Sequence, residues 1–183
     1  PIALLNTTYK ILASIIQRRM AEGMDKDIDE MQFGFRKGRS TSQPLQIVRR
    51  TAEIIEESGA AMYMLLIDWE KAFDKADRDK MFEAMDSMNI HPKYIKVIRS
   101  LYKNTMFKVE IEGTSSRWMK QETGIRQGCP LSPYLFLIVM TTMFIDAKQD
   151  IKHTLIQQRV PGADFDEVMY ADDTILVSES TKA

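Results

Sequence analysis

Two adjacent carboxylates, Asp172 and Asp173, interrupt a run that otherwise reads as paired strands, with Glu167-Val168-Met169-Tyr170 before them and Thr174-Ile175-Leu176-Val177 after. β-Branched and apolar residues on both sides of a two-acid break make the acids the turn of a β-hairpin. Neighbouring like charges repel, so a fold keeps them close where something positive arrives to offset them. A divalent cation fits, because hard cations take carboxylate oxygens. Asp68 is the next such residue and closes the apolar run Met62-Tyr63-Met64-Leu65-Leu66-Ile67. If the two strand ends lie side by side, Asp68 and Asp172 converge on one metal site. Residues 33–50 hold five bases (Arg36, Lys37, Arg39, Arg49, Arg50) and no acid, whereas 162–180 hold six acids and no base. That division suits a polyphosphate held between cations and metal-loaded carboxylates, and it equally suits two ordinary solvated faces.

The elements that must position these groups follow from periodicity. Helical spacing predicts helices over 6–20, 43–57, 78–88, 92–102 and 132–150. The first is capped by Asn6 or Thr7 and the second by a residue of 40–42 and closed by Gly59; His91-Pro92 opens the fourth. Strands are predicted over 62–68, over 106–111 and 117–121 as a hairpin around Glu112-Gly113-Thr114, over 154–160 before a Pro161-Gly162 turn, and in the acidic hairpin. This order of elements predicts an α+β fold with a small, mainly antiparallel sheet backed by helices. No repeat or linker divides the chain, although the first 60 residues could form a lobe of their own.

With 183 residues, 44% hydrophobic and 28% charged, the chain can bury a core and is not a disordered or collagen-like sequence. A net charge of −1 gives no overall polycation for nucleic acid, so the local basic block matters more than the sum. No apolar run reaches the roughly 20 residues of a membrane helix, and no secretory signal pattern opens the sequence. The single cysteine, Cys129, allows no intrachain disulfide or cysteine-built zinc site; it favours an intracellular setting and reads as a packed side chain. Two histidines are too few for a histidine-rich metal centre.

Three ordered blocks carry the chemistry: Leu65-Leu66-Ile67-Asp68-Trp69-Glu70-Lys71-Ala72-Phe73-Asp74, Gly124-Ile125-Arg126-Gln127-Gly128-Cys129-Pro130-Leu131-Ser132-Pro133, and Tyr170-Ala171-Asp172-Asp173. They resemble motifs A, B and C of reverse transcriptases. The wording of the middle block looks like the LINE-type (non-long-terminal-repeat) retrotransposon branch. The upstream block Gln32-Phe33-Gly34-Phe35-Arg36-Lys37-Gly38-Arg39-Ser40 and the opening Pro1-Ile2-Ala3-Leu4-Leu5-Asn6 are similar to fingers-region blocks of the same family.

The resemblance implies a polymerase right-hand palm over 61–183 with partial helical fingers over 1–60. It implies an RNA-directed DNA polymerase that adds deoxynucleotides to a DNA primer on an RNA template, using two Mg²⁺ ions or Mn²⁺ in their place. Asp68, Asp172 and Asp173 become the catalytic and metal-binding residues, with the Trp69 backbone carbonyl completing a metal shell. Phe73 would exclude a 2′-hydroxyl, Gln127 and Gly128 would meet the nucleotide, and Arg36, Lys37 and Arg39 would meet template or nucleotide phosphates. Asp74 matches the family pattern without an assigned role. The sequence opens where the family has an arginine just upstream and stops shortly after Asp173, so the expectation is a fragment without the thumb and endonuclease of its parent. The parent would work in nucleus and cytoplasm as a retroelement ribonucleoprotein. Two other readings stay open: a catalytically inactive, nucleic-acid-binding remnant, and an RNA-dependent RNA polymerase palm, against which Phe73 speaks.

Overall fold

The structure, a computed structural model, describes residues 3–151 and 165–179. The chain groups into two compact units that interleave in sequence, Pro1–Met24 with Lys71–Val139, and Asp25–Glu70 with Met140–Ala183. The expected fingers over 1–60 and palm over 61–183 do not coincide with this grouping. Strand pairing is the reason: the segment after Asp25 hydrogen-bonds to the acidic hairpin, about 140 positions along the chain, and so groups with it.

In the first unit, α1 (Thr7–Met24) starts at Asn6, whose Oδ1 accepts a hydrogen bond from the Thr8 amide at 2.8 Å. It buries Ala13, Ile16, Met20 and Met24, a stripe at three- and four-residue spacing. A short α3 (Ala72–Lys75), unforeseen in the periodicity because four residues carry almost no period, precedes α4 (Arg78–Ser87), capped by Asp77 through the Lys80 amide. α5 (Pro92–Tyr102) begins as expected, the His91 Nδ1 accepting from the Lys93 amide at 3.1 Å. The expected hairpin is broken into two short ladders. β2 (Met106–Phe107) pairs with β5 (Met119–Lys120), and β3 (Glu110–Ile111) with β4 (Thr114–Ser115). Phe107 faces Met119 but Glu110 faces Ser115, so the returning arm carries one extra residue, as in a bulge. The long α6 (Ser132–Ile151) belongs to both units in sequence; Leu135, Leu137 and Ile138 on it are fully buried.

In the second unit, a 3₁₀ turn at Asp25–Asp27 leads to α2 (Ser42–Ser58), which ends at Gly59 with φ 68°. Its N-cap position is Thr41, without a side-chain cap; instead the Gln43 side chain accepts from the Ser40 amide at 2.8 Å. The sheet has the order β1 (Tyr63–Ile67), β7 (Asp173–Ser178), β6 (Glu167–Tyr170), with both pairings antiparallel. Ile55 of α2 packs with Val177, and Met62, Phe165 and Ile175 close around them, so a helix backs the sheet. Gln32 runs parallel to β6 at Met169: the Phe33 amide donates to the Met169 carbonyl at 2.8 Å and the Met169 amide donates to the Met31 carbonyl at 2.9 Å. The strand expected over 154–160 and the Pro161-Gly162 turn lie outside the described residues. Among the described residues no helix is long and apolar enough to cross a membrane.

Candidate active site

The register of the second unit's sheet assembles the acids. β1 pairs with β7 from Tyr63–Ser178 to Ile67–Thr174, and β6 pairs with β7 up to Tyr170–Asp173. One step past the last β1 pair, the register sets Asp68 opposite Asp173, while Ala171 and Asp172 form the two-residue turn between β6 and β7. The expected side-by-side arrangement of the two strand ends is therefore present. Asp68 and Asp173 are exposed and Asp172 is half-buried.

The turn has positive φ at its first position, Ala171 at 57°, where a hairpin of this kind prefers glycine. A left-handed alanine costs roughly 1–2 kcal/mol, so the surroundings must hold it there. One side chain does so. Gln32, 1% exposed, donates from Nε2 to the Ala171 carbonyl at 3.0 Å, and its Oε1 accepts from the Ala171 amide at 2.8 Å. The same Oε1 accepts from the Gly34 amide at 2.8 Å. Gly34 lies so close that a Cβ there would sit 2.2 Å from the Ala171 nitrogen, which only glycine permits.

A second tie joins the two acidic strand ends. The Trp69 indole donates to Thr174 Oγ1 at 3.2 Å, and that buried hydroxyl donates to the Asp172 carbonyl at 3.3 Å. Glu167, at the start of β6, is buried against Lys148 of α6, which also reaches Asp29 at 3.7 Å. Burial raises the Glu167 carboxyl above its ordinary range despite the lysine beside it.

No hydrogen bond or ion pair among the described residues reaches the carboxylates of Asp68, Asp172 or Asp173. Nor do the described residues gather three histidine, cysteine or acidic side chains into a ready cage. The donor set is therefore carboxylate oxygens without cationic partners, flanked by main-chain carbonyls. It fits Mg²⁺, which is usually held by one or two carboxylates together with substrate phosphates rather than by an all-protein cage.

The basic block departs from expectation at one residue. Arg36 is 8% exposed, and its guanidinium is engaged within the chain: with the Asp25 carboxylate at 3.1 and 3.2 Å, and with the carbonyls of Asp25, Asp29 and Gln32. It fixes the 25–36 loop and is not presented to phosphates. Lys37 is exposed, and Arg39 lies with its guanidinium 5.0 Å from the Phe33 ring centre.

The remaining expected residues belong to the first unit. Phe73 is half-buried and stacks on Phe136 of α6, with ring centres 4.5 Å apart and planes at 18°. Its carbonyl accepts from the Ile125 amide at 2.7 Å, and the Gly124 amide donates to the Ala76 carbonyl at 2.9 Å. Gly124, φ 83°, approaches so near that a Cβ would lie 2.6 Å from the Asp74 carbonyl oxygen. Arg78 ties the same loop down through the carbonyls of Gly124, Gln121 and Thr123. Arg126 lies between the rings of Tyr9 and Tyr102, at 5.2 and 5.3 Å, and donates to the Leu101 carbonyl. The loop thus presents Gln127, half-buried, whose carbonyl accepts from the Ala3 amide, and the exposed Gly128, φ 95°. Cys129 is buried, its Sγ 3.6 Å from the Tyr9 hydroxyl, as a packed side chain should be.

Gln32, Thr174, Arg78 and Arg126 were not assigned roles from sequence. Their work depends on partners far along the chain, from 25 residues for Arg126 to 139 for Gln32, or on ring contacts, and local periodicity carries no signal for either.

The family profile described as reverse transcriptase (RNA-dependent DNA polymerase) matches residues 1–183, and the chain belongs to that family. Its relatives include the transposon TX1 uncharacterized 149 kDa protein of Xenopus laevis, 25% identical over 179 residues that cover 98% of this chain and 14% of the relative. The RNA-directed DNA polymerase from mobile element jockey of Drosophila funebris is 28% identical over 187 aligned positions, covering 99% of this chain and 19% of that protein. The chain thus spans less than a fifth of either relative, and both are proteins of mobile elements, in keeping with the LINE-type resemblance. Telomerase of Candida albicans, solved with a fragment of telomeric RNA, superposes with a TM-score of 0.65 at 14% identity, over 94% of this chain and 31% of that one. Apo telomerase of Candida tropicalis gives 0.64 over 95% and 35%. The fold is the expected α+β, palm-like one.

Proposed function

We propose that this chain forms the nucleotidyl-transfer centre of an RNA-directed DNA polymerase that extends a DNA primer on an RNA template with deoxynucleoside triphosphates. The observation that carries the reading is the β1–β7 register, which sets Asp68 opposite Asp173 and beside the Ala171-Asp172 turn, with no cation of the described residues to neutralise the three carboxylates. Membership of the family and the ordered blocks support it. Phosphoryl transfer asks a protein for positioning and charge neutralisation more than for covalent chemistry. Asp68 and Asp172 would hold the metal, with Asp173 and the Trp69 carbonyl in support. Two Mg²⁺ ions, or Mn²⁺, would favour ionisation of the primer hydroxyl and offset the charge of the departing pyrophosphate.

The chain's own residues do the rest. The hydrogen bonds through Thr174 and Gln32 hold the turn so that its carboxylates need not reorganise. Phe73, backed by Phe136, would close the space beside the sugar's 2′ carbon. Gln127 and Gly128 would meet the incoming nucleotide, the former with an amide that both donates and accepts. Lys37 and Arg39 would contact phosphates without reading sequence. In this reading the chain acts within a retroelement ribonucleoprotein.

Primer extension by the intact protein tests the proposal. Asp172→Asn, which keeps shape and removes charge, should lower extension by more than about a hundredfold, the upper end for mere outer-sphere partners of a metal ligand, while RNA binding persists. Undiminished extension by this variant would overturn the assignment. RNA binding with no extension by the unsubstituted protein would leave a nucleic-acid-binding remnant in its place.

A further inference from the structure

Gln32 is buried, uncharged and remote in sequence from every acid of the site, yet one amide group makes both of the main-chain hydrogen bonds available at Ala171. Ala171 immediately precedes Asp172, and its left-handed φ of 57° is one that an alanine does not keep unaided. An isolated two-residue turn relaxes such a residue by rotating the peptide planes on either side, which would swing the Asp172 carboxylate. The Gln32 amide opposes that rotation from both sides: Nε2 donates to the Ala171 carbonyl and Oε1 accepts from the Ala171 amide. The side chain is itself fixed, because Oε1 also accepts from Gly34 and its main chain is bridged to Met169 of β6. The orientation of the amide is unambiguous, since two backbone N–H groups must meet an acceptor.

We propose that Gln32 is a positioning residue for the metal-binding turn, acting as a side-chain strand that holds Ala171, and through it Asp172, in the geometry that accepts a divalent cation. The proposal rests on the polymerase reading above. Residues that orient a ligand without touching the metal typically alter metal affinity or activity by about 10- to 100-fold.

The test uses the intact protein with Mn²⁺ alone, without nucleotide or primer, and follows binding by calorimetry or by the electron paramagnetic resonance of the free ion. Gln32→Ala should weaken Mn²⁺ binding by about tenfold. In primer extension it should raise the Mg²⁺ concentration at half-maximal rate by a similar factor, with the KM for deoxynucleotide little changed. Gln32→Glu keeps the accepting oxygen but loses the donor to the Ala171 carbonyl. It should lie between the alanine variant and the original protein, and it carries the comparison if the alanine variant does not fold.

Unchanged Mn²⁺ affinity in a folded Gln32 variant would overturn the proposal. So would a loss confined to thermal stability, with metal dependence unmoved. Asp172→Asn in parallel separates the two ideas: if it abolishes extension while the Gln32 variants bind Mn²⁺ normally, the positioning role fails and the polymerase reading stands. If Asp172→Asn extends normally, it is the polymerase reading that fails.

Discussion

Phe73 shows what a single side chain can contribute here. Its ring stacks on Phe136 with centres 4.5 Å apart, so it is a braced wall rather than a free rotor. A braced aromatic excludes a hydroxyl that a mobile one would let pass. Phe73→Val should therefore admit ribonucleotides, raising their kcat/KM relative to deoxynucleotides on the order of 10- to 100-fold; unchanged sugar discrimination in single-nucleotide incorporation would remove Phe73 from that role. Arg36 teaches the opposite lesson. Among Arg36, Lys37 and Arg39 the sequence shows three cations in a row of polar residues, and nothing local distinguishes them. Asp25, eleven residues upstream, takes Arg36 out of solvent through paired hydrogen bonds. A burial of this kind is decided by the fold of the 25–36 loop, and residue type alone could not announce it.

At the scale of elements, most of the helices were legible. Asn6, His91-Pro92 and Gly59 mark their ends with capping chemistry that acts within a few residues. The hairpin of 106–120 was legible only in outline, because a bulge shifts register without changing composition. Gly23 and Gly124, both in the first unit, differ in what surrounds them, and substitution should reveal it. At Gly124 a Cβ would lie 2.6 Å from the Asp74 carbonyl oxygen and φ is 83°, so Gly124→Ala should destabilise by about 2 kcal/mol or more. Gly23, on α1 with open space around it, should give the reverse sign, Gly23→Ala stabilising by up to about 1 kcal/mol. Urea unfolding midpoints at constant slope would check both. Equal effects at the two positions would mean that the Phe73–Ile125 junction is looser than its hydrogen bond implies.

For the whole molecule, interleaving is the property least visible in the sequence. Helix periods and caps are local, whereas the pairing of 31–33 with β6 and of β1 with β7 joins segments more than 100 residues apart. The candidate acids stand out in sequence because three blocks of residue types stand in order; the side chains that hold their strand ends do not, because their partners lie across those joins. The molecule as a whole should also share one pH response. Burial raises Tyr9 and Tyr102 above the ordinary 10.0, with Cys129 adding to the effect on each. At Lys148 desolvation lowers the value, but the hydrogen bond and charge of Glu167 and the charges of Asp29 and Asp166 outweigh it and raise the group above 10.5. All three hold their protons more tightly folded than unfolded. Their contribution is full below the ordinary values and is lost as pH rises through the raised ones. Urea midpoints should accordingly fall as pH passes above about 10, and Tyr9→Phe should flatten part of that decline. A midpoint indifferent to alkali would show these groups to be as free as in the unfolded chain.

The close approach of Gly34 to Ala171 has a consequence for descent. The relatives are proteins of mobile elements, and on the proposed reading this chain would have sibling copies free to diverge. Position 34 admits no side chain while the turn before Asp172 keeps its shape, since the obstructing atoms are the backbone nitrogen and Cα at 171, which every amino acid has. No change at 171 can compensate for a change at 34. Among such copies, a retained glycine at 34 would mark those in which the turn kept this shape. On the reading proposed above, its replacement would mark a lineage that had ceased to need this turn, even where Asp172 and Asp173 are still spelled out.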